Sequence, residues 1–360
     1  MFTATKKEWC ELYAFFRLLA DGQATLGTAD AKAGDTVWPV AMVQRTERDG
    51  KRNYYIEKEY VRAQSEDGTV IRLLREDVAT AATLILAAVK EATDNEVASP
   101  DGVEEFLDEA KIYDLEAQTD DRTDLSVAFW HPEAPLCGLV VRSRLSVMNP
   151  LLEGSAANLK LEQSGIKFAN PTVNKINAVP EGPNEVADRM GLIERLGGVL
   201  KYADVADRVF RCNLLMMDLH FPRLLAEMVR TMHLEGITRT SELVEVMKQR
   251  NPLKIKDELI QKHRFYEYKV KQFLLALMLG MRPAKIYTGQ NSAVEGVLLL
   301  NGDGELLCYH KEEEEVMGEF LLRNTRLEKG SLKKDKYGYL ERENGTYYFK
   351  LNARIGWVRR

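Results

Sequence analysis

The fold is decided by two runs, Asp124-Leu125-Ser126-Val127-Ala128-Phe129-Trp130 and Cys137-Gly138-Leu139-Val140-Val141-Arg142-Ser143. Apolar residues take alternate positions in the first run, at Leu125, Val127 and Phe129, as in a strand with one buried face. The second run is mainly apolar, and the segment between the two contains two prolines. The sequence therefore predicts two neighbouring strands joined by a turn.

Outward from this hairpin, the chain alternates between helical and extended patterns. Before it, the spacing of apolar residues predicts helices over residues 7–20, 75–92 and 103–111, and strands over 37–44 and 52–57. After it, proline and asparagine predict a loop or boundary over 170–184. Helices are then predicted over 186–196, 214–234 with a break near Pro222, 240–249 and 256–280, and strands over 293–300, 306–310 and 345–351.

The composition is that of a globular protein. The 360 residues are 45% hydrophobic and 29% charged, which excludes collagen-like, disordered and disulfide-scaffold classes. The length favours two domains, which we place at residues 1–180 and 181–360, with the option that they pack as one. No apolar run reaches the roughly 18 residues of a membrane span. The four cysteines are scattered, and the first residues lack a signal-peptide pattern, so we predict a cytoplasmic protein.

Charge is distributed unevenly along the chain, although the net charge is only −5. Residues 91–125 contain 13 acidic and 2 basic residues, whereas residues 250–290 contain 9 basic and 3 acidic, and residues 321–360 contain 11 basic and 4 acidic. Such runs are usually solvated surface. They also suit an enzyme that binds nucleic acid, in which cations hold phosphates and carboxylates hold a metal.

The hairpin resembles the catalytic element of PD-(D/E)XK nucleases. In that class an acidic residue on one strand binds Mg²⁺, and the adjacent strand carries an acidic or polar residue, one spacer and a lysine. Asp124 and Arg142 stand at the corresponding ends of the two runs. A carboxylate from the first helix often joins such a site, and Glu8 and Glu11 are the available choices. Alone, this spacing is weak, because an aspartate at a strand edge is common.

Several blocks in the same order resemble the HpaII family of Type II restriction endonucleases. They extend over nearly the whole chain: residues 8–22 (EWCELYAFFRLLADG), 121–125 (DRTDL), 137–143 (CGLVVRS), 265–274 (FYEYKVKQFL), 279–287 (LGMRPAKIY), 301–310 (NGDGELLCYH) and 321–328 (LLRNTRLE). The resemblance implies a restriction-endonuclease-like α/β fold, with a mixed central sheet flanked by helices in a nuclease core and a helical, then β-containing, basic C-terminal region.

The resemblance also implies an activity. The expected reaction is Mg²⁺-dependent, sequence-specific cleavage of double-stranded DNA within a restriction-modification system, with C-C-G-G the target of the family's namesake. Asp124 would bind the metal. A cognate DNA methyltransferase would be a genetic, not a physical, partner. A palindromic target favours a homodimer, although restriction enzymes also act as monomers that nick twice.

Two positions depart from the family pattern, which has G-F-S-I-K-S where this chain has residues 137–143. Arg142 occupies the lysine position, and Val140, two residues before it, offers no oxygen to a metal. Arginine stays protonated and cannot accept a proton. Three outcomes are open: Arg142 acts as an electrostatic stabiliser, a displaced lysine such as Lys160 supplies the function, or the protein binds DNA specifically and cuts weakly or not at all.

Further residues are assigned by their position in these blocks. Asp120 and Asp121 either join Asp124 at the metal or form a solvated acidic loop, and we favour the loop. Cations in the last third of the chain are predicted to contact the DNA backbone. For Lys269 and Lys271, an amphipathic helix with solvated lysines explains the pattern equally well. These predicted DNA-binding residues are Lys269, Lys271, Lys285, Arg323, Arg326, Lys333, Lys334 and Lys336.

Overall fold

The computed structural model of the chain describes residues 2–119, 121–289 and 292–358. Its strands are β1 Thr3–Thr5, β2 Gln23–Gly27, β3 Ala33–Glu47, β4 Gly50–Ile56, β5 Tyr60–Ser65, β6 Val70–Leu74, β7 Glu96–Ala98, β8 Leu125–Phe129, β9 Cys137–Ser143, β10 Asn158–Gly165, β11 Gly198–Val205, β12 Val294–Leu300, β13 Leu306–His310, β14 Thr325–Glu328, β15 Leu340–Glu343, β16 Thr346–Asn352 and β17 Arg354–Trp357.

The α-helices lie between these strands. They are α1 Lys6–Asp21, α2 Arg75–Glu91, α3 Val103–Ala110, α4 Asn170–Asn177, α5 Glu185–Arg195, α6 Arg208–Met217, α7 Phe221–Glu235, α8 Thr240–Arg250, α9 Asp257–Gln261, α10 Phe265–Met278, α11 Glu314–Asn324 and α12 Leu332–Asp335. In the described part of the chain, no helix combines the length and apolar character needed to cross a membrane.

The chain divides into two compact units. The first contains residues 1–148, 278–280 and 292–320, and the second contains residues 149–277, 281–291 and 321–360. This division differs from the predicted one at residue 180. The physical reason is strand pairing, since β12 joins the sheet of the first unit as the parallel neighbour of β9.

The first unit is built on a mixed nine-stranded sheet in the order β2-β13-β12-β9-β8-β3-β4-β5-β6. The first part of the long strand β3 pairs with β2, and its second part pairs with β8 and β4. Strands β2, β13, β12, β9, β8 and β3 therefore form a closed ring. The predicted hairpin is confirmed, with β8 and β9 antiparallel and Leu125 opposite Leu139. The mixed central sheet predicted for the fold is present.

Helix α1 covers this sheet, and its ends follow from local sequence. Thr5 and Glu8 form a reciprocal capping box at the start, and Gly22 ends the helix at φ 65°, in the left-handed region that glycine tolerates. The helix packs through aromatic side chains. Phe15 forms a T-shaped ring pair with Tyr54 on β4, and Phe16 forms one with Phe106 on α3. These buried rings fix α1 against the sheet.

The second unit contains the antiparallel sheet β11-β10-β16-β15, the ribbon β14–β17 and helices that include α4 to α9. Two predictions here are wrong. Residues 170–184 were expected to be a loop, but Asn170–Asn177 forms α4, with Pro171 in its first turn, where proline's missing N–H costs nothing. Residues 256–280 were expected to be one helix, but they are divided into α9 and α10, with Arg264 at φ 49° between them.

Candidate active site

Asp124 lies where the two strands of the hairpin separate. Its amide donates to the carbonyl of Leu139 over 2.9 Å, and its Oδ2 accepts from the amide of Val141 over 2.6 Å. Beyond the last backbone pair of β8 and β9, Leu125 with Leu139, the carboxylate therefore accepts the hydrogen bond that a backbone carbonyl would otherwise accept. Asp124 also lines a pocket of about 350 Å³ within the first unit, together with Thr46, Thr119, Asp121 and Glu295 among others.

Helix α1 supplies the second carboxylate. Glu11 is only 3% exposed, and its Oε1 accepts from the backbone amide of Ala117 over 2.7 Å. Glu8, the alternative choice, is used otherwise: its Oε2 accepts from the Thr5 amide over 2.7 Å and from the Thr5 hydroxyl over 2.6 Å in the capping box. The structure thus brings Glu11, rather than Glu8, together with Asp124.

The two carboxylates are both withdrawn from solvent, Glu11 fully and Asp124 partly. Burial raises the pKa of Glu11 to about 8, and the charge of Asp124 adds to the shift. Burial likewise raises the pKa of Asp124, against the opposing effects of the Val141 hydrogen bond and the Arg142 charge. When the pKa values of two neighbouring carboxyl groups are both raised, the pair is stabilised either by a shared proton or by a bound cation.

Arg142 is the cation of this site. Its Nη1 donates to the carbonyl of Val141 over 2.8 Å. Burial lowers the pKa of the guanidinium, and the charges of Asp124 and Glu11 oppose that change. The interaction with both carboxylates places Arg142 in their electrostatic neighbourhood. Val140 is 5% exposed and apolar, so the β9 position that often carries a second ligand contributes none here.

Sequence reasoning missed two charged residues of this cluster, Lys7 and Glu116, which form an ion pair. Burial works against the charge of Lys7, but the neighbouring carboxylates Glu116, Glu11 and Asp124 outweigh it and raise the pKa of the amine. The usable signal for Glu116 was its place in the acidic run of residues 91–125. Lys7 had no signal in the sequence beyond its nearness to Glu11.

The segment that carries Glu116 is fixed by a buried arginine. The Nη2 of Arg45 donates to the carbonyls of Asp114 and Leu115 over 2.9 and 2.6 Å, and its Nη1 contacts Glu47 over 2.5 Å. The amide that holds Glu11, from Ala117, comes just after these carbonyls. Arg45 therefore helps position the site without belonging to it.

The remaining acidic candidates differ in their surroundings. Asp121 is exposed, and its Oδ1 accepts from the amide and hydroxyl of Thr123 over 3.0 and 2.6 Å, which closes a local turn. Asp120 lies outside the described residues. The displaced-lysine candidate, Lys160, belongs to the second unit, where its amine pairs with Glu343 and lies 4.4 Å from the centre of the Tyr348 ring.

All eight predicted DNA-binding cations fall in the second unit. Some have internal partners: Lys269 pairs with Asp218 over 3.1 Å, Arg326 with Glu328 over 2.9 Å, and Lys333 with Glu181 over 3.0 Å. Lys271 is half-buried and Arg323 is exposed. The side chains of the other three are exposed and form no ion pair within the described part of the chain; they are Lys285, Lys334 and Lys336.

Fold and site together define a class of protein: a mixed α/β protein in which one carboxylate next to a strand and one on a helix lie near a half-buried cation at the end of a hairpin. A family model described as HpaII restriction endonuclease matches residues 5–357, and the chain belongs to that family. It is 29% identical over 373 aligned positions to the Type II restriction enzyme HpaII of Haemophilus parainfluenzae, covering 99% of each chain. No solved structure matches it.

Proposed function

We propose that the protein is a Type II restriction endonuclease that uses Mg²⁺ to hydrolyse phosphodiester bonds at a short site in double-stranded DNA. The family supports cleavage of DNA by a restriction enzyme. The first candidate sequence is C-C-G-G, which the resemblance in the sequence implies. The observation that carries the proposal is the grouping of Glu11, Asp124 and Arg142 at one end of the hairpin.

The donor set fits a magnesium ion. Mg²⁺ prefers oxygen ligands, and it is usually bound through one or two carboxylates with water completing the shell. Asp124 has Oδ1 left after Oδ2 accepts from Val141, and Glu11 has Oε2 left after Oε1 accepts from Ala117. Burial is the main cause that raises the pKa of both carboxyl groups, and a divalent ion held by these two oxygens would offset it by favouring their charged forms. Glu11 thereby supplies the second carboxylate that Val140 does not.

The cations act on the phosphate. Arg142 keeps its proton at any physiological pH, so its contribution is to stabilise negative charge on the phosphate and not to accept a proton. Lys7 also stays charged, since its pKa is raised. A bound Mg²⁺ would supply further positive charge to the phosphate and lower the pKa of an attacking water. Arg142 and Lys7 would then hold the scissile phosphate beside the carboxylates that would bind the ion.

The rival function is specific DNA binding with weak or no cleavage. Two observations favour it: Val140 offers no oxygen, and Arg142 replaces the amine of the family pattern while donating to a backbone carbonyl. The two functions separate cleanly in one experiment, because a binder retains affinity for its site whether or not a metal is present.

The test is cleavage of a plasmid that carries C-C-G-G sites, with Mg²⁺ and with EDTA, by the wild type, Asp124→Ala and Glu11→Gln. Asp108→Asn is a matched control, because Asp108 is an exposed carboxylate on α3 of the same unit. We expect discrete fragments only with Mg²⁺, from the wild type and the control. Site-specific retention of DNA without fragments would instead establish the binder.

The assembly and the cellular setting belong to the same proposal. A palindromic site has two-fold symmetry, so we propose a homodimer that presents one Asp124 to each strand. Light scattering of the protein with and without DNA measures the number of chains. A DNA methyltransferase that modifies the same site would be encoded with it as a genetic partner, and both would act in the cytoplasm.

A further inference from the structure

A second cluster of ligand-type side chains lies in the first unit, on three neighbouring strands. Cys137 begins β9, Glu295 is on β12 and His310 ends β13, and each offers one ligand atom within 4.8 Å of the others. Among the described residues, this is the only group of three or more cysteine, histidine and acidic side chains with that spacing. It differs from the Asp124 site in chemistry, because it combines sulfur, nitrogen and oxygen donors.

A β-bulge aims the carboxylate of this cluster. Along the parallel β12–β9 pair, Val294 lies opposite Gly138 and Gly296 opposite Leu139, so Glu295 is an extra residue without a partner on β9. Bulges re-aim side chains and are frequent next to functional sites. On the other side, Gly296 lies opposite His310. The bulge thus places Glu295 between the start of β9 and the end of β13.

The histidine of the cluster is buried with one nitrogen unused. His310 is 1% exposed, and within the described part of the chain its Nε2 has no hydrogen-bond partner. Its Nδ1 accepts from the amide of Glu312 over a long 3.3 Å. The rings of Trp38 and Phe129 pack against the imidazole at centroid distances of 5.3 and 6.1 Å. A buried polar atom without a partner is costly, and a bound ligand would offset the cost.

We propose that Cys137, Glu295 and His310 bind one divalent ion of the zinc class, separate from the magnesium ion assigned to Asp124. Thiolate and imidazole ligands favour zinc and similar metals over magnesium. Three protein ligands leave a fourth position of a tetrahedral shell for water. Glu295 also lines the pocket that contains Asp124, and this pocket provides the route by which the ion and its water would enter.

Binding requires two proton changes. The Cys137 thiol, which interacts with the Glu295 carboxylate, releases its proton to solvent. Coordination through Nε2 of His310 leaves the ring proton on Nδ1, so the contact with the Glu312 amide opens and the nearby Glu312 carboxylate becomes the acceptor. Lys311 already pairs with Oε1 of Glu295 and leaves Oε2 for the metal. A partner that holds a ligand in this way strengthens metal sites.

The test is titration of the full chain with Co²⁺, which replaces Zn²⁺ and is visible spectroscopically. With excess Mg²⁺ present to occupy the Asp124 site, we expect one equivalent to bind with a thiolate-to-cobalt charge-transfer band. Tryptophan fluorescence should be partly quenched, because Trp38 contacts His310. Excess Mg²⁺ should not displace the ion, whereas Zn²⁺ should. Cys137→Ser and His310→Gln should weaken binding by at least about tenfold, the lower end of what even an orienting partner contributes.

Cys212→Ser is the matched control, because Cys212 is an exposed cysteine of the second unit. We expect it to bind Co²⁺ as the wild type does. A charge-transfer band that survives Cys137→Ser but disappears in Cys212→Ser would overturn the proposal, as would binding without any such band. If Cys137→Ser does not fold, Glu295→Gln replaces it, and unchanged Co²⁺ affinity in that variant would equally overturn the site. None of these measurements depends on cleavage of DNA.

Discussion

The Asp124 carboxylate accepts a hydrogen bond from the backbone amide of Val141 over 2.6 Å. The regular pairing of β8 with β9 ends one step earlier, where Leu125 lies opposite Leu139. A side chain thus continues the strand ladder at the point where the two strands separate. Asp124 therefore has two tasks: one oxygen holds the hairpin end, and the other is left for a ligand.

These two tasks separate in substitutions of Asp124. Asp124→Asn keeps an oxygen that can accept from Val141, so we expect its free energy of unfolding to stay within about 1 kcal/mol of the wild type. Asp124→Ala leaves a buried amide unpaired and should cost about 1–3 kcal/mol. Both variants should lose cleavage by at least roughly 10²-fold, since both remove the charge. Urea unfolding and a plasmid assay measure the two effects. Equal destabilisation by both substitutions would contradict the first task.

The raised pKa of the buried Glu11 predicts a pH-dependent stability. The folded protein holds the proton of Glu11 up to pH about 8, whereas the unfolded chain releases it near its ordinary pKa of 4.5. The folded state therefore binds more protons across that interval, and without metal the free energy of unfolding falls as pH rises through it. The expected slope is on the order of 1 kcal/mol per pH unit.

Glu11→Gln provides the control for this prediction, because glutamine stays neutral at every pH. Urea unfolding in EDTA across the same interval should give a flatter profile for the variant than for the wild type. Saturating Mg²⁺ should also flatten the wild-type profile, because the metal binds the deprotonated carboxylates. A variant that keeps the full wild-type slope would assign the proton to another group.

Substitutions of Arg142 test whether this residue contributes its positive charge or a proton transfer. We expect Arg142→Lys to keep cleavage within about tenfold, because a cation remains, and Arg142→Gln to lose at least roughly 10²-fold. Rates measured against pH provide the sharper readout. The wild type should show no loss at high pH from this group, whereas a buried lysine loses its charge more readily and should produce such a loss. Activity that is unchanged in Arg142→Gln would show that the guanidinium has no role in the reaction.

The sequence predicted the hairpin because its pattern is local. Alternation of apolar residues from Leu125 to Phe129 identifies a buried face within a single strand, and the structure confirms it. The same logic succeeded for the first helix, predicted over residues 7–20 from its apolar spacing and found as α1 Lys6–Asp21. Such features depend on residues within a few positions of one another, so one sequence contains them.

The composition of the site was harder to predict. The choice between Glu8 and Glu11 depends on the capping box at Thr5 and on the amide of Ala117, which is more than one hundred positions away from Glu11. The bulge at Glu295 depends on how β12 pairs with β9. The capping box is local, but the contact with the Ala117 amide and the bulge depend on residues far apart in the chain. The strand β10 was also missed: Leu159 and Leu161 alternate with Lys160 and Glu162, but this apolar–charged alternation extends over only four residues.

Breaking the buried pair of Arg45 and Glu47 should cost the fold more than breaking an exposed ion pair. The side chains are 0% and 2% exposed, so Glu47→Ala leaves a charge buried without its partner, at an expected cost of about 3–5 kcal/mol. The control is Glu258→Ala, which breaks an exposed pair with Lys262 and should cost less than about 1 kcal/mol. Thermal and urea unfolding compare the two. Similar costs for both substitutions would contradict the buried pair's role.

The cations of the second unit predict different salt dependences of DNA binding. Lys334 and Lys336 are exposed without an ion pair in the described part of the chain, so each is available to release a counterion when it meets a phosphate. Lys334→Ala and Lys336→Ala should each reduce the slope of log affinity against log salt by about 0.9. Lys269→Ala should change it less, because the Lys269 amine already pairs with Asp218. Fluorescence anisotropy with duplex DNA, in the Asp124→Asn background to prevent cutting, measures these slopes. A larger change for Lys269→Ala than for the two exposed lysines would show that helix α10, and not the segment formed by α12 and Lys336, contacts the DNA.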